Sequence, residues 1–175
     1  DMTGKRGTLV TLRGLAGVAA PRVLLVGLGA RDDFGERAYA DAVRAAVRGC
    51  PGVNTIAVAA TDWSVKGRDA EWQARQFAIA ARETVFRSDE LKSKKEDSNG
   101  PARALLLHSG GAGAERGLRQ GTAVANGMAL TKRLGNLPPN ICTPSFLADE
   151  ARKLAKEWKL GVEVLRRELG EQIPQ

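Results

Sequence analysis

The chain has 175 residues, with 27 Lys and Arg against 20 Asp and Glu and a formal net charge of +7; that length suits one ordinary domain around a single core. Apolar residues make up 43% and the mean hydropathy is −0.26, and no run approaches the roughly 18 consecutive apolar residues of a membrane helix. Two cysteines, Cys50 and Cys142, and one histidine, His108, exclude a zinc finger or ribbon and read as free thiols suited to a reducing compartment.

The basic excess is interleaved with acids. Lys92, Lys94 and Lys95 sit beside Glu96 and Asp97, and Arg152, Lys153 and Lys156 beside Asp149, Glu150 and Glu157. That is the pattern of a solvated surface, although the balance also permits nucleic acid or an acidic surface as a partner. The first residue is Asp1, with no initiator Met and no charged-then-apolar leader, so the sequence is expected to be a piece of a longer chain.

In chain order, Thr8 to Leu12 is β-branched and apolar and reads as a strand; Gly14 to Ala20 reads as loop. Arg22 to Leu28 is a nearly continuous apolar run, the pattern of a strand buried on both faces. Glu36 to Arg48 reads as a helix with Tyr39, Ala42, Val43, Ala46 and Val47 on one face, stopped by Gly49-Cys50-Pro51-Gly52. Val53 to Ala60 reads as a second buried strand. Asp69 to Arg87 reads as a longer helix with Trp72, Ile79 and Phe86 at seven-residue steps.

Ser88 to Pro101 is polar and reads as an exposed loop. Ala102 to Leu107 is a third apolar strand, and Gly110-Gly111-Ala112-Gly113 turns into a helix from Ala114 to about Leu134. That helix holds Gly117, Gly121 and Gly127, each of which costs about 1 kcal/mol against alanine. Close packing along a stripe of Leu118, Gly121, Ala125 and Met128 is the expected compensation. This alternation of strand and helix is α/β order, with helices on the faces of a sheet.

Asn136-Leu137-Pro138-Pro139-Asn140-Ile141-Cys142-Thr143-Pro144 follows. Its prolines remove backbone donors and push the residues before them toward extended conformations, so a rigid, extended connector is expected. Thr143 then reads as an N-cap and Pro144 as the first helical residue, opening a helix with Leu147, Ala151, Leu154, Ala155 and Trp158 on one face. Gly161 reads as its stop, Val162 to Leu165 as a new strand, and Arg166 to Gln175 as a polar tail.

The candidate sites are few. Gly27-Leu28-Gly29 lies where a dinucleotide loop would, but Asp32 stands where that motif needs glycine and would repel a pyrophosphate. A tight turn after a strand is the expected reading. Gly110, Gly111 and Gly113 form a second glycine-rich junction whose amides could cradle a phosphate, without the Lys-Ser/Thr of a P-loop. His108 has no acidic or thiol neighbour in sequence and reads as structural. Asp149 and Glu150 point about 100° apart on a helix and do not converge on a metal, and Asp32-Asp33 suits the start of the next helix. No catalytic or metal-binding residue is assigned.

The run Asn-Leu-Pro-Pro-Asn-x-Cys-Thr-Pro-x-x-Leu-Ala, from Asn136 to Ala148, resembles the junction region of leucyl aminopeptidases, the cytosol aminopeptidase family. Gly14-Leu15-Ala16-Gly17-Val18 leading into Pro21 to Gly29, and Leu91-Lys92-Ser93-Lys94-Lys95, resemble segments of that family's N-terminal domain in matching order. The resemblance implies a macro-domain-like, three-layer α/β fold with a mixed sheet and helices on both faces. It implies an N-terminal domain over 1–135, incomplete at its start. Residues 136–175 would be the connector and opening helix and strand of a catalytic domain, with Asn136, Pro138, Pro139, Asn140, Thr143 and Pro144 as the interdomain connector.

The family's metal ligands lie in motifs such as Val-Gly-Lys-Gly and Asp-Ser-Gly-Gly, and none of these motifs occurs here. The resemblance therefore implies a non-catalytic portion of a cytoplasmic, hexameric enzyme. That enzyme removes N-terminal residues, leucine preferred, from peptides with two divalent metals (manganese, zinc or magnesium). This portion would serve assembly and access, its partner being the protein's own catalytic domain. Two other readings remain open: a DNA-binding accessory role, as in some bacterial members, and a macro-like module holding ADP-ribose or a nucleotide at Gly110 to Gly113.

Overall fold

The computed structural model describes residues 3–94 and 100–165. The middle of the expected polar loop, residues 95–99, and the expected polar tail, 166–175, lie outside the described residues. The chain divides into two compact units, Asp1–Lys132 and Arg133–Gln175, and its class is mixed α/β.

The first unit opens with a hairpin. Strands β1 (Leu9–Arg13) and β2 (Arg22–Val26) pair antiparallel, Leu9 opposite Val26 and Arg13 opposite Arg22. Beyond the strands, Gly27 N donates to Thr8 O at 2.8 Å and Gly7 N to Gly27 O at 2.9 Å. A Cβ at Gly27 would stand 2.1 Å from Lys5 O, which is why only glycine fits there. This glycine closes a hairpin and does not open a nucleotide loop. The run Arg22 to Leu28 is not buried on both faces as expected: Leu25 is exposed and Val23, Leu24 and Val26 are half-buried. An apolar run alone does not distinguish one covered face from two.

Strands β3 (Thr55–Val58) and β4 (Arg103–Leu106) pair in parallel, Ile56 opposite Ala104 and Val58 opposite Leu106. Ile56 and Val58 are buried, while Thr55 and Ala57 are exposed, so β3 also covers one face only. The described strands thus form two two-stranded sheets, not the one broad sheet expected.

Helix α1 (Glu36–Arg48) has the expected bounds, and Tyr39, Ala42, Val43, Ala46 and Val47 are all buried. It packs against α2 (Ala70–Val85). Asp69 caps α2 by accepting from Trp72 N at 2.8 Å, satisfying an amide that the first turn leaves without a helical partner. The most enclosed face of α2 carries Gln73, Ala74, Phe77, Ala78, Ala80 and Ala81. It is not the expected Trp72–Ile79–Phe86 row, whose members are half-buried. Phe77, 1% exposed, joins Tyr39, Val43 and Val47 at the centre of the core.

Tyr39 is the hub. Its ring meets Phe34, Trp63 and Trp72 edge-on or tilted at centroid distances of 5.5–6.5 Å, arrangements that aromatic quadrupoles favour. Its hydroxyl donates to Gln73 O at 2.9 Å, and Gln73 Nε2 donates to Trp63 O at 2.6 Å. The buried amide side chain thereby holds the short 3-10 turn Ala60–Asp62 and its C-cap Trp63 against α2.

Helix α3 (Gly111–Asn136) begins three residues earlier than expected. Within the first unit it lies against α2 at near backbone contact. A Cβ on Gly117 would come within 2.0 Å of Glu71 O, and one on Gly121 within 2.3 Å of Arg75 O. Those two glycines have the packing reason inferred from sequence. Gly127 does not, because its Cβ would meet nothing within 4 Å.

In the second unit, helix α4 (Pro144–Trp158) starts where expected and buries only Ala155. Of its anticipated apolar face, Ala151 is half-buried, whereas Leu147, Leu154 and Trp158 are exposed. The helix stops at Lys159, not Gly161: Lys159 adopts φ 53°, and Leu160 N donates back to Ala155 O at 2.9 Å. Residues 162–165 form no strand, contrary to the expectation. Their β-branched composition suits a strand, but no strand partner is present among the described residues.

Candidate functional site

Two junctions carry the residues singled out from sequence. The first is the glycine loop following β4. Leu107 N donates to Val58 O at 2.9 Å and Leu107 O accepts from Thr61 Oγ1 at 3.1 Å, which ties the strand end to the turn after β3. His108, which read as structural, lies past the end of β4 and is exposed. Gly110 is half-buried, and a Cβ there would approach Ala70 Cβ at 2.6 Å. Gly111 has φ +55° and opens α3 in solvent, and Gly113 is half-buried in the first turn. The loop is thus built by a close approach to α2 and a left-handed residue, both structural demands that glycine meets.

The second junction is the proline run. Asn136 is the last residue of α3. Ile141 N and Cys142 N both donate to Pro138 O at 2.9 Å. Pro138 to Ile141 is therefore a β-turn with Pro139 and Asn140 at its centre, not the extended connector expected. Pro139 supplies the φ that the second turn position needs, and Asn140 tolerates the third. Two adjacent prolines can bend a chain as readily as extend it when a following amide reaches the carbonyl of the first.

Thr143 then caps α4, its hydroxyl accepting from Phe146 N at 3.2 Å, with Pro144 in the first turn. Replacing Thr143 with Ala should cost about 1 kcal/mol, and Lys159→Gly should gain about 1 kcal/mol by relieving a left-handed lysine. Both are read as opposite changes in helix content and thermal stability by circular dichroism.

The polar side chains that do gather form cross-helix ion pairs that sequence reading missed. Glu83 on α2 accepts from Arg44 of α1 at 2.9 Å and Lys132 of α3 at 3.0 Å. Glu71 on α2 pairs with Arg116 of α3, and Arg75 lies 3.8 Å away. These partners are 39 to 49 residues apart in sequence, so only the Glu71–Arg75 spacing could have signalled a contact. Hydrogen bonds from Arg44, then Lys132, hold the Glu83 carboxyl below its ordinary value near 4.5. Arg116 does the same for Glu71.

Because the Glu83 pKa is depressed on folding, its contribution is present above pH 4.5 and lost as pH falls through the folded value. A Glu83→Gln variant should therefore melt below the parent at pH 7, and the gap should narrow as acidification carries the parent through the depressed Glu83 pKa, as followed by thermal melts across pH. A constant difference would contradict the assignment.

Among the described residues, no group of three or more His, Cys, Asp and Glu side chains gathers where it could hold a metal ion. Asp149 and Glu150, adjacent on α4, are engaged separately: Asp149 by Arg152 at 2.7 Å, Glu150 by Lys153 at 2.6 Å and Arg133 at 3.6 Å. The described side chains do not fit a metal centre.

Fold and junctions together define a mixed α/β module whose distinctive glycines and prolines are joints. A family model described as "Cytosol aminopeptidase family, N-terminal domain" matches residues 1–95, more than half of the chain, and the chain belongs to that family. It is 47% identical over 173 residues to a probable cytosol aminopeptidase of Paraburkholderia phytofirmans, covering 94% of this chain and 34% of that protein. It is 46% identical over 176 residues to one of Ralstonia nicotianae, covering 95% and 35%. The chain thus spans about a third of the length of the curated relatives it matches.

Among solved structures it is similar to the bottromycin maturation enzyme BotP, with TM-score 0.77 and 27% identity over 91% of this chain and 33% of that one. It is also similar to a tomato leucine aminopeptidase mutant, with TM-score 0.71 and 29% identity over 90% and 31%.

Proposed function

We propose that this chain is the non-catalytic N-terminal portion of a metal-dependent leucyl aminopeptidase of the cytoplasm. The whole enzyme would remove N-terminal residues, leucine preferred, from peptides. The observation that carries this reading is the alignment of 94% of the chain with one third of a probable cytosol aminopeptidase at 47% identity. On this reading two divalent ions, manganese, zinc or magnesium, belong to side chains of the enzyme's catalytic domain. BotP, a neighbour in fold, is known in complex with Mn.

On the same reading, residues 1–135 belong to the N-terminal domain, whose whole sheet would be three-layered and macro-domain-like. Residues 136–175 open the catalytic domain. Asn136, Pro138, Pro139, Asn140, Thr143 and Pro144 would be the connector between the two domains. The portion serves assembly of a hexamer and access to its active sites.

The test is direct. The purified chain, given Mn²⁺ and leucyl p-nitroanilide, should release no p-nitroaniline above the rate in buffer. Turnover abolished by a chelator would overturn the proposal.

A further inference from the structure

We draw no further inference here: the strongest candidate, the exposed apolar row of Leu147, Leu154 and Trp158 along α4, carries nothing because the structure does not show what covers it.

Discussion

Alanine at Gly117 should destabilise the fold by about 3 kcal/mol and lower the melting temperature by about 10 °C. Gly121→Ala should do nearly as much. The added methyl would sit 2.0 Å from Glu71 O in the first case and 2.3 Å from Arg75 O in the second. Both obstacles are helix backbone, which cannot swing aside as a side-chain tip can. Helix α3 must therefore move off α2, loosening the ion pairs from Arg116 to Glu71 and from Lys132 to Glu83. The intrinsic helix preference for alanine, about 1 kcal/mol, offsets only part of this.

Gly127→Ala is the control. Its methyl meets nothing within 4 Å, so only the helix preference acts, and it should stabilise by up to about 1 kcal/mol. Thermal melts of the three variants should differ in sign. A destabilised Gly127→Ala, or a neutral Gly117→Ala, would contradict the assigned packing.

The second large effect is at Tyr39, which is 0% exposed. Tyr39→Ala should cost about 4 kcal/mol, because it removes a fully buried ring and leaves a cavity among Phe34, Trp63 and Trp72. Tyr39→Phe keeps the ring and loses only the hydrogen bond to Gln73 O, which should cost about 1 kcal/mol.

A pH signature separates the hydroxyl from the ring. Burial raises the Tyr39 pKa above its ordinary value of 10.0. A raised pKa means that its contribution is fully present below pH 10 and lost as pH rises beyond it. The parent chain should therefore lose stability more steeply above pH 10 than Tyr39→Phe does in urea titrations. Parallel alkaline losses in the two proteins would show that the hydroxyl is not buried as described.

These effects also mark what could be read from the amino acids. Helix α1 was legible to the residue, because its apolar positions recur on one face and a Gly-Cys-Pro-Gly run stops it. Helix α2 was legible in extent but not in orientation. Its neighbours α1 and α3 press on alanine-rich surfaces around Phe77, so the large residues Trp72, Ile79 and Phe86 drew attention to the flank. Alanine is uninformative in a pattern because it tolerates both burial and exposure.

The strands were legible in position and not in pairing. Four of the five expected strands form and the one at 162–165 does not, and register and partner depend on contacts distant in sequence. The cap at Thr143 and the close approach at Gly117 and Gly121 within α3 followed from local chemistry. The turn at Pro138 did not, because proline supports both an extended run and a bend. The stop at Lys159 was hidden, since a lysine in the left-handed region is not what composition suggests. The cross-helix ion pairs at Glu71 and Glu83 were invisible for the same reason as the strand pairing.

The central claim is tested most directly by a chimera in which this chain replaces the aligned third of the Paraburkholderia phytofirmans protein. The chimera should release p-nitroaniline from leucyl p-nitroanilide in a Mn²⁺-dependent manner at a rate comparable to that of the intact relative assayed beside it. A folded, homogeneous chimera that is silent while the intact relative is active would contradict the account.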